Sequence, residues 1–315
     1  MDNDGQRFPK PPDIENFDWD GGLKTESQIV GSTCMFKFDS KSNLLILVVV
    51  ATLMGCTESA DISKMAEKNF DLGDTTYFNE FVACRTGSEY SPELMNEMIF
   101  VWQGLLDSDA LVGGWIYLPT SEDNSCPDRA WWELQWDSDA TAKAGWASWV
   151  DNKQVLEWTE KYANVFKCDG ENRNPFEAVF PIDAEEYGEF SDSGYSHNEI
   201  SRCDYVSGNS SEEAKAFLES YTSSVRASNY QGTGFHFGNY YTSNNPDADF
   251  LWAEFTNFSE STNKVAELFT KHIEPTQFPL FSEFASCHET TDKYNGWTVF
   301  ERDEPNFNVD FAKMN

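Results

Sequence analysis

Residues 79–93, NEFVACRTGSEYSPE, decide the fold, because residues 198–212 repeat their outline as NEISRCDYVSGNSSE. Asn79-Glu80 matches Asn198-Glu199, Cys84 matches Cys203, Ser88 matches Ser207 and Glu93 matches Glu212, all at one offset of 119. Pro127-Asp128 and Pro246-Asp247 keep the same offset. Cys84 and Cys168 are 84 residues apart, and so are Cys203 and Cys287. Self-similarity at a fixed spacing is the mark of a duplicated structural unit. Residues 77–182 and 197–302 are therefore two copies, joined by an acidic linker at 183–196 and followed by a tail at 303–315.

Each copy reads strand, helix, strand, strand, helix, strand. In the first, Asn79 to Thr86 is a strand, and Ser91-Pro92 caps a helix on which Leu94, Met98, Val101 and Trp102 recur at helical spacing. Val112 to Leu118 and Trp131 to Trp136 are strands. Asp139 to Lys161 is one long helix with Trp146, Trp149, Val150, Leu156 and Trp158 toward the core. Val165 to Cys168 begins a fourth strand, and Phe176 to Pro181 is expected to add another. In the second copy, strands are expected at His197 to Val206, Phe235 to Tyr241, Leu251 to Asn257, Phe281 to His288 and Trp297 to Arg302. Helices start at Ser211 and span Ser259 to His272.

This order is the ferredoxin-like βαββαβ motif. Two in tandem resemble the dimeric α+β barrel architecture, so the expected fold class is α+β, two ferredoxin-like repeats forming a pseudo-dimeric barrel. The resemblance is one of element order and implies no activity.

The chain has 315 residues and a net charge of −32. Such acidity repels phosphate backbones, which excludes nucleic acid as an electrostatic partner. The run NLLILVVVATLMGC at residues 43–56 has an apolar stretch too short to span a bilayer as a helix, and Lys37 and Lys41 precede it. Its close, Leu53-Met54-Gly55-Cys56, resembles the lipobox of bacterial lipoproteins. That resemblance implies a signal at residues 35–55, a lipid on Cys56 and a tether over residues 56–76. It also implies a membrane partner reached through the lipid anchor, and Thr57 fits sorting to the outer membrane. Residues 1–34 make a poor preface to an export signal, so translation is expected to start at Met35.

In the ferredoxin-like order the first and last strands are neighbours, and export places the chain where thiols oxidise. The two resemblances together imply disulfides Cys84–Cys168 and Cys203–Cys287. Metal binding is disfavoured, since no CxxC or CxH spacing is present. Cys126 lacks a counterpart and is expected as a free thiol.

The repeat also pairs carboxylates. Glu80 and Glu199 precede their cysteines by four residues. Glu133 and Glu254 share Trp-x-Glu, with Trp131 and Trp252 as candidate ligand-pocket residues. Facing away from the helices, the four acids would meet between the sheets and act as acid and base or hold a hard cation. An ordinary structural role for them is the competing reading. His197, His236, His272 and His288 have no repeat partners, and there is no nucleophile elbow, P-loop or dinucleotide fingerprint. No cofactor and no metal are assigned. Tryptophans cluster in the first copy, at Trp115, Trp131, Trp132, Trp136, Trp146, Trp149 and Trp158. The sequence thus points to a lipid-anchored protein that binds a small molecule or partner without defined catalysis. The alternative is a cofactor-independent enzyme, monooxygenase- or isomerase-like, with its site between the sheets.

Overall fold

The computed structural model describes residues 76–106, 111–150, 152–182, 194–228, 230, 234–242, 247–256, 261–303 and 308–313. The expected start at Met35, the signal, Cys56, nearly all of the tether and most of the linker lie outside these residues. In the first copy, β1 (Thr76–Thr86) leads to α1 (Pro92–Gln103), β2 (Leu111–Pro119), β3 (Ala130–Trp136), α2 (Asp139–Val150), α3 (Lys153–Lys161) and β4 (Phe166–Val179). In the second, β5 (Tyr195–Tyr205) leads to α4 (Ser211–Ala227), β6 (Phe235–Tyr241), β7 (Phe250–Thr256), α5 (Ser261–Leu268), a π-helical turn (Phe269–Ile273), α6 (Glu274–Phe284) and β8 (Ala285–Glu301).

The strands close into one barrel in the order β1-β3-β2-β8-β5-β7-β6-β4, with antiparallel pairing throughout. Each copy contributes a sheet ordered as a ferredoxin-like unit. The copies join along β2–β8, from Gly113–Glu301 to Pro119–Tyr294, and along β4–β6, from Glu177–Tyr241 to Val179–Asn239. The fold is therefore two tandem ferredoxin-like units in a closed α+β barrel.

Side chains alternate across each strand, which divides the protein into three cores. Phe81, Tyr117, Trp131, Phe176, Tyr240, Leu251 and Tyr294 fill the barrel interior. Outside the first sheet, Val82, Ile116, Trp132 and Leu134 pack under α1 with Met95, Met98, Ile99 and Trp102. Outside the second, Phe237, Phe250 and Trp252 pack under α4 with Phe217, Leu218 and Tyr221. Ser91 caps α1, its hydroxyl accepting from Leu94 N at 3.2 Å. Ser210 and Glu213 form a reciprocal capping box at α4. Caps of this kind stabilise a helix by about 1 kcal/mol. Where the end of β1 crosses the entry to β4, a Cβ on Gly87 would fall 2.0 Å from the Asn164 carbonyl oxygen, so only glycine fits.

Three expectations need correction. The helix expected over residues 139–161 is two helices, because Asn152 adopts an extended backbone and caps α3 by accepting from Gln154 N at 2.9 Å. The break rephases the surface, and Val150 and Leu156 are 66% and 60% exposed rather than core. The fourth strand of the first copy is one continuous β4, with an irregularity opposite Val82 to Cys84. The strand expected from Phe281 instead continues as helix to Phe284. Pro275 sits in the first turn of α6, where no N–H is needed, and the helix tolerates Pro279 in its interior. The C-terminal tail also packs: Phe311 N donates to Asn96 Oδ1 at 2.9 Å, and the Phe311 ring lies 5.1 Å from Trp297.

Cys84 and Cys168 face each other across β1–β4, and Cys203 and Cys287 across β5–β8; both pairs are bonded. Each closes an 84-residue separation, for which loop-closure entropy gives roughly 4 kcal/mol. Cys126 is not a free thiol: it too is disulfide-bonded. Of the seven cysteines, thiol titration of the denatured, unreduced full-length chain is expected to find one free. Five free thiols would refute both cross-strand bridges.

Candidate functional site

Of the four candidate acids, only Glu133 enters the barrel. It is 1% exposed and accepts from Asn79 Nδ2, from the Tyr117 hydroxyl at 2.5 Å and from the Tyr240 hydroxyl. Tyr117 and Tyr240 hold equivalent register positions on β2 and β6, so the two copies converge on one carboxyl. Burial pushes the Glu133 pKa up to about 7, against the pull of its three donors. The surrounding interior is aromatic. Phe81 has Tyr240, Phe176, Tyr117 and Trp131 within 5.2–6.3 Å, centroid to centroid. At one end the 120–129 loop is tied down, with Ser125 N and Oγ donating to Asp292 Oδ1 at 2.6 and 2.9 Å.

The other three acids lie on the outer face, which corrects their expected meeting between the sheets. Glu80 accepts from Trp146 Nε1 at 2.6 Å and from Arg173 Nε at 3.1 Å, while Arg173 stacks over Trp146 at 4.2 Å. Glu199 has His197 and Lys293 each at 3.5 Å, and these partners hold its carboxyl below the usual range. Glu254 accepts from Trp252 Nε1 at 3.0 Å. Partly exposed as a residue, its carboxyl is covered by Trp252 and Tyr221, and desolvation raises its pKa to about 7.

Register explains the error. Trp132 pairs with Val82, and Trp252 pairs with Ser201, the repeat partner of Val82. The equivalent tryptophans are thus Trp132 and Trp252, and Glu133 corresponds to Ala253, whereas Glu254 corresponds to Leu134. The shared Trp-x-Glu is out of step by one residue, and one residue turns every side chain to the opposite face. Trp131 is correspondingly an interior filler that donates to the Tyr294 hydroxyl at 3.2 Å, and Trp252 is a core residue of the second unit. Neither is among the residues lining the cavity between the first sheet and its helices. His236 stacks on Phe180 at 5.2 Å, and burial lowers its pKa to about 3.

Open space lies elsewhere, between the first sheet and α2–α3. A cavity of about 320 Å³ is walled by Trp132, Trp136, Trp146, Trp149 and Trp158, with Trp102 at its back. The rings meet edge to face, Trp102 on Trp132 at 4.8 Å and Trp149 on Trp158 at 6.0 Å. Leu134, Phe166 and Cys168 of the disulfide complete the apolar wall. The volume is at the lower end of the roughly 300–1,000 Å³ typical of small-molecule sites. Two indole N–H groups in this wall, those of Trp132 and Trp136, are buried with no hydrogen-bond partner. Leaving such a donor unpaired costs about 1–3 kcal/mol. The clustering of tryptophan in the first copy was the sequence signal for this site. It could not separate wall from core, because that depends on where α2 ends and α3 begins.

No protein-family model matches the chain, and a search of curated proteins finds no match. Among solved structures, the chain is similar to a monooxygenase candidate from Lactobacillus acidophilus NCFM, at 6% identity and a TM-score of 0.44, covering 71% of this chain and 94% of that one. It is also similar to a single-residue variant of chlorite dismutase from Candidatus Nitrospira defluvii, at 11% identity and a TM-score of 0.41, covering 78% and 98%. These likenesses concern the path of the chain and bring no chemistry with them.

Glu133 makes stability depend on pH in a defined direction. Its folded pKa lies above its ordinary value, so between about pH 4.5 and 7 the folded state keeps a proton that the unfolded chain has released. Its contribution to stability is thus greatest below this window and declines as pH rises through it, by about 3 kcal/mol in all. Glu133→Gln is expected to fold, to match the parent near pH 5, and to lose that part of the decline in denaturant titrations at pH 5 to 8. Glu254 retains its own share.

Proposed function

We propose that this protein binds a small apolar molecule in the tryptophan-walled cavity of its first unit. The cavity carries the binding reading. It is preformed and mostly apolar, as ligand sites are, while the barrel interior is packed with the protein's own side chains. Glu80 supports the site from outside it, since its bond to Trp146 Nε1 fixes one wall to β1.

A second reading is an enzyme using Glu133 as acid or base, favoured by the pKa of about 7 on a carboxyl held by two tyrosines. Such a group is poised for proton transfer near neutrality. Packing around Glu133 favours the binding reading over this one. If turnover is found, Glu133→Gln abolishes it under the enzyme reading and leaves it intact otherwise.

Native mass spectrometry of the purified full-length protein is expected to show one co-purified molecule per chain. Equilibrium dialysis with 2-ethylnaphthalene should likewise saturate at one site. Leu134→Trp places a ring in the void. It is expected to weaken probe binding at least tenfold without lowering Tm, because filling an empty cavity does not overpack the core. Unchanged binding in that variant would exclude the cavity.

A further inference from the structure

The 320 Å³ cavity and one of the two cross-strand disulfides share a wall. Phe166, Cys168 and Gly170 of β4 line the cavity together. Register puts the bonded pair Cys84 and Cys168 on the outer face of the first sheet, where the cavity lies. The two cysteines differ in their surroundings. Cys84 is 2% exposed within the first core, whereas Cys168 is half-buried. A Cβ on Gly170 would meet nothing within 4 Å, so the wall beside Cys168 stands in open space.

This wall is a distinct arm of β4. Pairing with β1 runs from Thr76–Val179 to Val82–Arg173 and resumes at Cys84–Cys168, leaving residues 169–172 opposite Ala83. That bulge is closed on itself, with Asn172 Nδ2 donating to Asp169 Oδ2 at 2.9 Å. Beyond it the arm is held by the pairs Cys84–Cys168, Arg85–Lys167 and Thr86–Phe166. Gly87 N and Glu89 N add hydrogen bonds to the Val165 and Asn164 carbonyls, each at 2.9 Å. The disulfide thus sits where arm meets bulge, at the cavity. A disulfide holds its sulfurs closer than two thiols can approach, so reduction forces them apart. Cys84 is enclosed by core side chains, and the displacement falls on Cys168 and the cavity wall.

The second unit repeats the disulfide in other surroundings. Pairing of β5 with β8 has the same irregularity, Ser201–Thr291 followed by Cys203–Cys287, and the bond closes the same separation of 84 residues. Cys287 packs against the aromatic core of the second unit. Two bonds of equal loop length therefore differ in what they border.

We infer that Cys84–Cys168 is a redox switch on the binding cavity: bonded, it fixes the wall that receives the ligand, and reduced, it releases the ligand. The inference rests on the binding reading above and adds its regulation. The reductant is a dithiol. One of its thiolates attacks Cys168 Sγ, on the more accessible cysteine, forming a mixed disulfide and expelling Cys84 as a thiolate. Its second thiol then displaces Cys168, so the reductant leaves as a cyclic disulfide. Two electrons pass to the protein, and the two cysteines take up the reductant's two thiol protons.

Binding and reduction are reciprocal. If reduction weakens binding roughly tenfold or more, saturating ligand lowers the potential of this bond by about 30 mV or more. The full-length protein is equilibrated in dithiothreitol redox buffers with and without saturating 2-ethylnaphthalene, and each cysteine is read by differential alkylation and mass spectrometry. The Cys84–Cys168 potential is expected to fall by that amount, with Cys203–Cys287 unchanged. Two double variants make the same comparison in binding. Cys84→Ala with Cys168→Ala is expected to bind the probe roughly tenfold more weakly than the parent, and Cys203→Ala with Cys287→Ala to match the parent. Both lose a loop closure of equal length and hence equal chain-entropy stabilisation, so their difference isolates the wall. Should either variant fail to fold, the titration of the parent decides by itself. A Cys84–Cys168 potential that stays, rises, or shifts equally with that of Cys203–Cys287 would overturn the switch and leave the binding reading standing. Absence of probe binding by the oxidised parent would overturn both.

Discussion

Closure of the eight strands into one hydrogen-bonded ring is the constraint on which the rest of the protein depends. Each ferredoxin-like sheet taken alone would end in two open edges, β2 and β4 in the first unit and β6 and β8 in the second. Pairing β2 with β8 and β4 with β6 satisfies all four. Unpaired strand edges invite association with other chains, and the ring removes them within a single polypeptide. It also assigns every strand residue to an inside or an outside. That assignment, made once by register, decides which side chains can meet.

The inside and outside then take different chemistry. Inside, aromatic residues from both units interlock around one carboxyl, Glu133, which survives burial by accepting from Asn79, Tyr117 and Tyr240. Outside, the two sheets are covered by helices drawn from a common plan but packed to different ends. In the second unit a nearly unbroken helical run brings Phe281 against Trp252 and Phe284 against Phe250 on the sheet. In the first, the helix breaks at Asn152, and the two short helices stand off the sheet far enough to leave a cavity. A duplicated fold has thus produced one filled face and one open one.

Charge placement follows the same division. The cross-strand disulfides lie on the outer strand faces, where they tie first strand to last in each unit. Glu80 and Glu199 keep the repeat but not the partners: one clamps Trp146 with Arg173, the other sits between His197 and Lys293. Each unit supplies its outer-face carboxylate with different partners, an indole N–H and a guanidinium in the first, an imidazole and an ammonium in the second.

The doubled cysteine spacing, the capping residue Ser91 and the order of the elements were legible in the sequence, because they are local or are set by chain separation. They determine two copies, their α+β class and the pairing of first strand with last. The facing of Glu133 and Glu254 was not legible. A one-residue offset between motifs looks trivial along the chain, yet it reverses a side chain across the sheet, and only strand register reveals it. The course of α6 through Pro279 and the bridging of Cys126 were equally hidden, since both depend on distant packing. Last, the tryptophans of the first unit were visible as a cluster, but an empty volume has no residues of its own. Where wall ends and void begins is decided only when helices from distant parts of the chain settle onto the sheet.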